Sequence, residues 1–244
     1  MMRRAFAAIV IPAVLLCGCG RQVPDSRQEA PAEETTEYKD KDELVSEWMA
    51  DETQTEPITA AAGEEIDDGA TPLDAFEYTI REDGTAAILK YTGKDTAVVI
   101  TSHIGDTPVT EIGQYAFEAK WDVESIAIPE TVSTIGEFAF MDCESLTQIS
   151  IPYDVTALYR GTFAGCTSLT ELHIPASVQS ADEELLTGCP LTDLYIESKT
   201  LTCTSWGLDP DSPCTIHAPE GAAALTWAEK NGFPTETITA PPAL

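Results

Sequence analysis

The chain has 244 residues, room for one or two domains, and carries 42 acidic against 13 basic side chains for a net charge of −29. That balance excludes nucleic-acid binding, which needs Lys and Arg on phosphates, and disfavours docking on an anionic lipid surface. It favours solubility and cationic partners.

The N-terminus reads Met1-Met2-Arg3-Arg4, an apolar run over residues 5–16, then Leu16-Cys17-Gly18-Cys19. A helix of about twelve apolar residues spans ~18 Å, short of a ~30 Å hydrocarbon core, so residues 1–18 read as a signal peptide. Leu-x-Gly-Cys directly after the run resembles the bacterial lipobox. That resemblance implies cleavage after Gly18 and a diacylglycerol on Cys19, placing the protein in the bacterial cell envelope, lipid-anchored and outside the cytoplasm.

Residues 19–72 read as an acidic tether. Glu, Asp, Thr, Ala and Pro dominate, with charge pairs at Glu33-Glu34, Glu64-Glu65 and Asp67-Asp68. Such a segment buries too little apolar surface to offset ordering entropy, and a flexible coil of this length reaches roughly 40 Å. One island, residues 42–49, has the pattern of a transient amphipathic helix.

Residues 73–96 are expected to form cap strands. A repeat of 23 residues then runs through 97–213. Ile128-Pro129 recurs as Ile151-Pro152 and Ile174-Pro175. Phe117, Phe140 and Phe163 keep the same step, with Leu186 next in line, as do Cys143, Cys166 and Cys189. A period of this length predicts a solenoid, each coil burying its apolar face only by stacking on its neighbours. Ile149 and Ile151 alternate with Gln148 and Ser150, the mark of a strand with one buried face, and Pro152 ends it. The expected fold is a short parallel β-sheet on one face and irregular returns on the other. Ile112-Gly113 and Ile135-Gly136 are expected at tight bends where a positive φ is needed.

The pattern Leu-x-x-Ile-x-Ile-Pro…Val…Ile-Gly-x-x-Ala-Phe-x-x-Cys-x-Ser resembles the BspA-type leucine-rich repeats of bacterial surface proteins. The segment Ala224-Leu-Thr-Trp227-Ala-Glu-Lys-Asn-Gly232-Phe is similar to their closing helix, so 214–244 read as a C-terminal cap and tail. The match weakens at residues 181–186, where an acidic stretch replaces Ile-Gly-x-x-Ala-Phe, and at Ile196-Glu197, where the Ile-Pro pair is lost. The resemblance specifies the fold and implies adhesion to, or recognition of, a protein partner, with glycan binding or a structural envelope role as the alternative.

The cysteine column at 143, 166 and 189 is expected to point inward as free, buried thiols. Cys203 and Cys214 flank a turn-rich stretch and are candidates for a disulfide in an exported chain, with the unpaired state left open. No Cys-x-x-Cys or other metal-ligand spacing occurs, no cofactor motif is present, and His103, His173 and His217 look scattered. Without a nucleophile or phosphate-loop motif, the chain does not read as an enzyme; an extracytoplasmic hydrolase working through paired carboxylates is the least favoured alternative. The functional lead is the outward side of the predicted sheet. There Ser150, His173 and Tyr195 stand between inward residues, with Ser125, Gln148, Glu171 and Asp193 one alternation earlier. Glu124 is expected to extend the acidic row of Glu171 and Asp193.

Overall fold

The structure, a computed structural model, describes residues 69–239. The signal peptide, Cys19, the island at 42–49 and all but the end of the expected tether lie outside the described residues. A 3-10 turn, Leu73–Ala75, leads into β1 (Phe76–Ile80), which pairs antiparallel with β2 (Ala86–Tyr91). Ahead of it, Thr71 is buried; its N–H donates to Val99 O at 2.9 Å and its hydroxyl accepts from Val99 N at 2.9 Å. Thr71 thus satisfies backbone groups on a sheet edge.

One parallel ladder joins β3 (Ala97–Val99), β6 (Ser125–Ala127) and β8 (Gln148–Ile149). Beside β8, a second set continues the same side with β10 (Glu171–Ile174), β12 (Asp193–Ile196), β13 (Thr215–Pro219) and β14 (Thr235–Ile238). Register follows the repeat: Val98 faces Ile126, Ile126 faces Ile149, and Leu172 faces Leu194, which faces Ile216. All of these are buried, as are Ile128, Ile151, Ile174 and Ile196 two residues further along each coil. The period-2 alternation therefore does what the sequence implies, sending one side chain in and the next out.

The return carries a ladder of its own. An antiparallel hairpin joins β4 (His103–Ile104) to β5 (Thr107–Ile112), and β5 then pairs in parallel with β2 and with β7 (Thr134–Ile135). Further along, β9 (Ala157–Leu158) pairs with β11 (Ser180–Ala181), and Ser180 bridges Thr202. Ile112, Ile135 and Leu158 fill this column from inside. Two-residue strands of this kind have no sequence signature, because alternation over two residues is no pattern at all.

The tight bends use different residues from those expected. Positive φ falls on Tyr115, Phe138, Gly161 and Glu184, and again on Ala119, Asp142, Gly165 and Gly188, each set in steps of 23. Gly113 and Gly136 are not among them. Gly136 is needed for another reason: a Cβ there would stand 2.6 Å from Gln114 N and 2.8 Å from Gly113 C, so two coils touch backbone to backbone. Non-glycine residues tolerate the left-handed positions where the coil-to-coil bonds over-determine them. Phe138 N donates to Arg160 O at 3.0 Å, Asp142 N to Ala164 O at 2.8 Å, and the Tyr115 and Phe138 rings stack at 5.3 Å.

Inside the turns runs the aromatic column. Phe140 lies 5.5 Å from Phe117 and 5.6 Å from Phe163, and Tyr91 of the cap stacks on Phe117 at 5.3 Å. Each cysteine of the 23-residue column closes a carbonyl beside it. The Sγ of Cys143 donates to Phe117 O at 3.1 Å, that of Cys166 to Phe140 O at 3.3 Å and that of Cys189 to Phe163 O at 3.0 Å. They are free and buried. Burial pushes the Cys143 thiol up to about 12, and raises Cys166 through its contact with Cys189 and through burial, so neither is a nucleophile.

Cys203 and Cys214 are also free and are not joined. They sit in different parts of the coil. Cys203 follows Thr202 in the return ladder, as Ala181 follows Ser180, and donates to Asp182 O at 3.3 Å. Cys214 precedes Thr215, which pairs with Asp193 on the opposite side of the coil.

Thr215–Pro219 adds a strand, and after α1 (Ala223–Asn231) the chain returns as β14. Gly232, at φ 83°, ends α1 in the left-handed conformation, its N–H reaching Glu229 O at 3.3 Å. Trp227 on α1 meets Trp206 at 6.2 Å and Phe233 at 5.4 Å, resuming the aromatic packing at this end.

Candidate binding face

The outward side of the main ladder places Ser125 beside Gln148, and Glu171 beside Asp193, which pairs with Thr215. Val99 pairs with Ala127, and His173 with Tyr195, which pairs with His217. Ser150 is exposed and stands 23 residues ahead of His173 in the same row. Most of the residues singled out from sequence thus come together on one face. Glu124 does not join the row of Glu171: it is exposed one residue ahead of Ser125, and its carbonyl accepts from Thr147 N at 2.9 Å. The slip of one residue is enough, because side chains alternate between faces along a strand.

Two of the three histidines come together. His173, Tyr195 and His217 form one stack of rings on three adjacent strands, with centroids 4.3 Å apart at both steps and planes within 5° and 14° of parallel. Parallel, in-register pairing causes it: equivalent side chains repeat at the strand spacing of ~4.8 Å and flat rings lean into contact. His217 escaped the sequence reading because the repeat seemed to lapse before it. The signal was present, since Thr215-Ile-His-Ala-Pro219 repeats the form of Glu171-Leu-His-Ile-Pro175 after a 22-residue step between Tyr195 and His217.

Carboxylates bracket the stack. Glu171 Oε1 accepts from His173 Nε2 at 2.7 Å, and Asp193 Oδ1 from His217 Nε2 at 2.8 Å. Glu236 Oε2, on β14, stands 3.2 Å from His217 Nδ1. The hydrogen bond from His217 holds the Asp193 carboxyl below the ordinary carboxylate range, and burial pushes the Tyr195 phenol up. His217 is only 6% exposed, whereas Tyr195 is half-buried and offers an edge and a hydroxyl, its two faces covered by the imidazoles.

Beside the stack lies a shallow cleft. It is lined by Ile149, Ser150, Ile151, Tyr153, His173, Pro175 and Glu197. Tyr153 reaches across two coils to place its hydroxyl 3.4 Å from Glu197 Oε1, while Ala176 N donates to Glu197 Oε2 at 3.2 Å. Tyr153 was not anticipated from sequence, since it stands after the Ile-Pro pair rather than on a strand. It remains 51% exposed. Trp121, 60% exposed, lies in a turn near the start of the array, and His103 stands apart on β4, beside Ser102 Oγ at 3.1 Å. Among the described residues, no group of His, Cys, Asp and Glu has the arrangement of a metal site, and no helix is long and apolar enough to cross a membrane.

Solved structures share this architecture. A leucine-rich repeat protein of T. pallidum is 26% identical with a TM-score of 0.57, the alignment covering 61% of this chain and 71% of that one. A leucine-rich repeat protein of Bacteroides ovatus is 29% identical with a TM-score of 0.53, covering 59% of this chain and 39% of the longer relative. No functionally curated protein matches the chain. The model of the BspA type leucine-rich repeat region matches residues 95–206 in six copies. With the stacked coils, the Ile-Pro columns and the aromatic column in register, residues 95–206 form a leucine-rich repeat solenoid similar to the BspA type.

Proposed function

We propose that this protein is an extracytoplasmic binding protein, tied to the membrane through a lipid on Cys19, that recognises a cationic protein partner with the outward face of its main sheet. The carrying observation is the charge of that face. Strands β3, β6, β8, β10, β12, β13 and β14 contain neither Lys nor Arg, and Glu171, Asp193 and Glu236 surround the ring stack. Repeat scaffolds place equivalent side chains in continuous rows, which suits an extended contact with a macromolecule rather than chemistry in a pocket. Adhesion is the specific form of this reading.

A glycan is the alternative ligand. Sugars dock on open aromatic faces, and the faces of Tyr195 are covered, which favours protein. Exposed Trp121 and Tyr153 would carry the glycan reading instead. The test sets a panel of matrix proteins beside a glycan array, followed by titration of variants of confirmed fold. Tyr195→Ala combined with His173→Ala is expected to weaken binding more than Trp121→Ala, and added salt is expected to weaken the wild type. If the sheet-face double variant binds like the wild type while Trp121→Ala fails, recognition lies on the turns.

A further inference from the structure

The ring stack ends abruptly, and its end is the cleft. His217 and Tyr195 each present a ring to the next coil, and His173 receives one face of Tyr195 at 4.3 Å. The next position in the row is Ser150, whose side chain is too small to cover the other face of His173. The cleft lined by Ser150, His173, Tyr153 and Glu197 therefore stands where the next rung would be and is open to solvent. Its surroundings define what group would fill it. Ile149, Ile151, Tyr153 and Pro175 give apolar lining, and Glu197 a carboxylate whose two oxygens accept from the Tyr153 hydroxyl and Ala176 N.

We propose that this cleft is an arginine-reading site, in which a guanidinium from the partner stacks on the free face of His173 and donates to Glu197. The proposal rests on the sheet-face reading and deepens it by naming the partner's chemistry. A guanidinium is planar, permanently charged, weakly hydrated and stacks on rings, with donors arranged in the plane where a carboxylate can meet them. A lysine ammonium has the charge but no face to continue the stack. A partner's aromatic ring has the face but leaves the charge of Glu197 and Glu171 unused. Each carboxylate oxygen of Glu197 accepts one bond already and retains a lone pair for a second.

The test uses the full chain and two blocked pentapeptides of glycine with one central arginine or one central lysine, titrated by NMR with the imidazole and tyrosine ring signals observed. The arginine peptide is expected to shift His173 and Tyr153 signals and to bind about fivefold or more tighter than the lysine peptide. Ser150→Phe, which fills the rung from an exposed position, is expected to abolish this difference, and Glu197→Gln to weaken the arginine peptide about tenfold. Equal binding of the two peptides, or arginine binding undiminished in Ser150→Phe, overturns the proposal. If that happens while the peptides still shift the Tyr195 and His217 ring signals, the cationic sheet-face reading survives and only the arginine site fails. If neither peptide shifts any sheet-face residue, both fail.

Discussion

Replacing Phe140 by alanine removes the middle ring of a column on which each coil depends. Phe140 is fully buried, and its ring contacts Phe117 at 5.5 Å and Phe163 at 5.6 Å. A buried Phe→Ala change costs about 3–5 kcal/mol from lost burial and the residual cavity. Two aromatic contacts, each worth about 0.5–1.5 kcal/mol beyond area, place this site toward the upper end. The backbone here cannot collapse freely into the gap, because Phe140 N donates to Thr162 O at 2.9 Å and Phe140 O accepts from Cys166 Sγ at 3.3 Å. A loss of about 4–5 kcal/mol is large against the usual 5–15 kcal/mol of total stability. Urea unfolding is followed by circular dichroism for the sheets and by tryptophan fluorescence, for which Trp206 reports from a buried position in the C-terminal part of the array. Coils that lean on their neighbours carry the damage along the stack, so both signals are expected to shift together. Tyr159→Ala, at a site 37% exposed, is the control. A midpoint for Phe140→Ala corresponding to a loss of less than about 1 kcal/mol would refute the packing argument.

Alkaline pH is expected to destabilise the array. The Cys143 thiol is held up to about 12 and that of Cys214 up to about 11, against an ordinary value near 9, so the folded state keeps protons that the unfolded chain releases. The thiols leave stability unchanged below about pH 9 and lower it as pH rises from there toward 12; the Cys143→Ala variant should show a shallower decline in pH-dependent unfolding. At the acid end, the depressed Asp193 carboxyl contributes stability that is present above its ordinary range and lost as pH falls through its folded value, so Asp193→Asn should flatten the acid limb of the same profile. Gly136→Ala introduces a Cβ against the backbone of Gln114 and is expected to cost about 1–3 kcal/mol in urea unfolding, and an unchanged midpoint would show that the coils do not approach as closely as described. Cys19→Ala should move the mature chain from the membrane to the soluble fraction, whereas an unmodified, cleaved wild type on intact-mass analysis would end the lipid-anchor reading.

The residues themselves determine the stacking. Ile-Pro, Phe and Cys columns at a 23-residue step are legible without coordinates, because a solenoid repeats one local solution and each inward residue meets its own equivalent in the next coil. The inward positions of the sheet strands follow from the same alternation, and so does the adjacency of His173 and Tyr195. What only the tertiary structure decided is whatever depends on how far one coil slips against the next. The loss of the Ile-Pro pair at Ile196-Glu197 conceals a third ring of the stack, His217, that the parallel register restores. The left-handed turns at Tyr115, Phe138 and Glu184 carry no glycine to announce them, since coil-to-coil hydrogen bonds impose the conformation from outside the segment. The cleft at Ser150 arises from a ring on one side and nothing on the other, and the bond from Tyr153 to Glu197 spans 44 residues. No local pattern encodes such a pairing, because it exists only when three coils are already stacked.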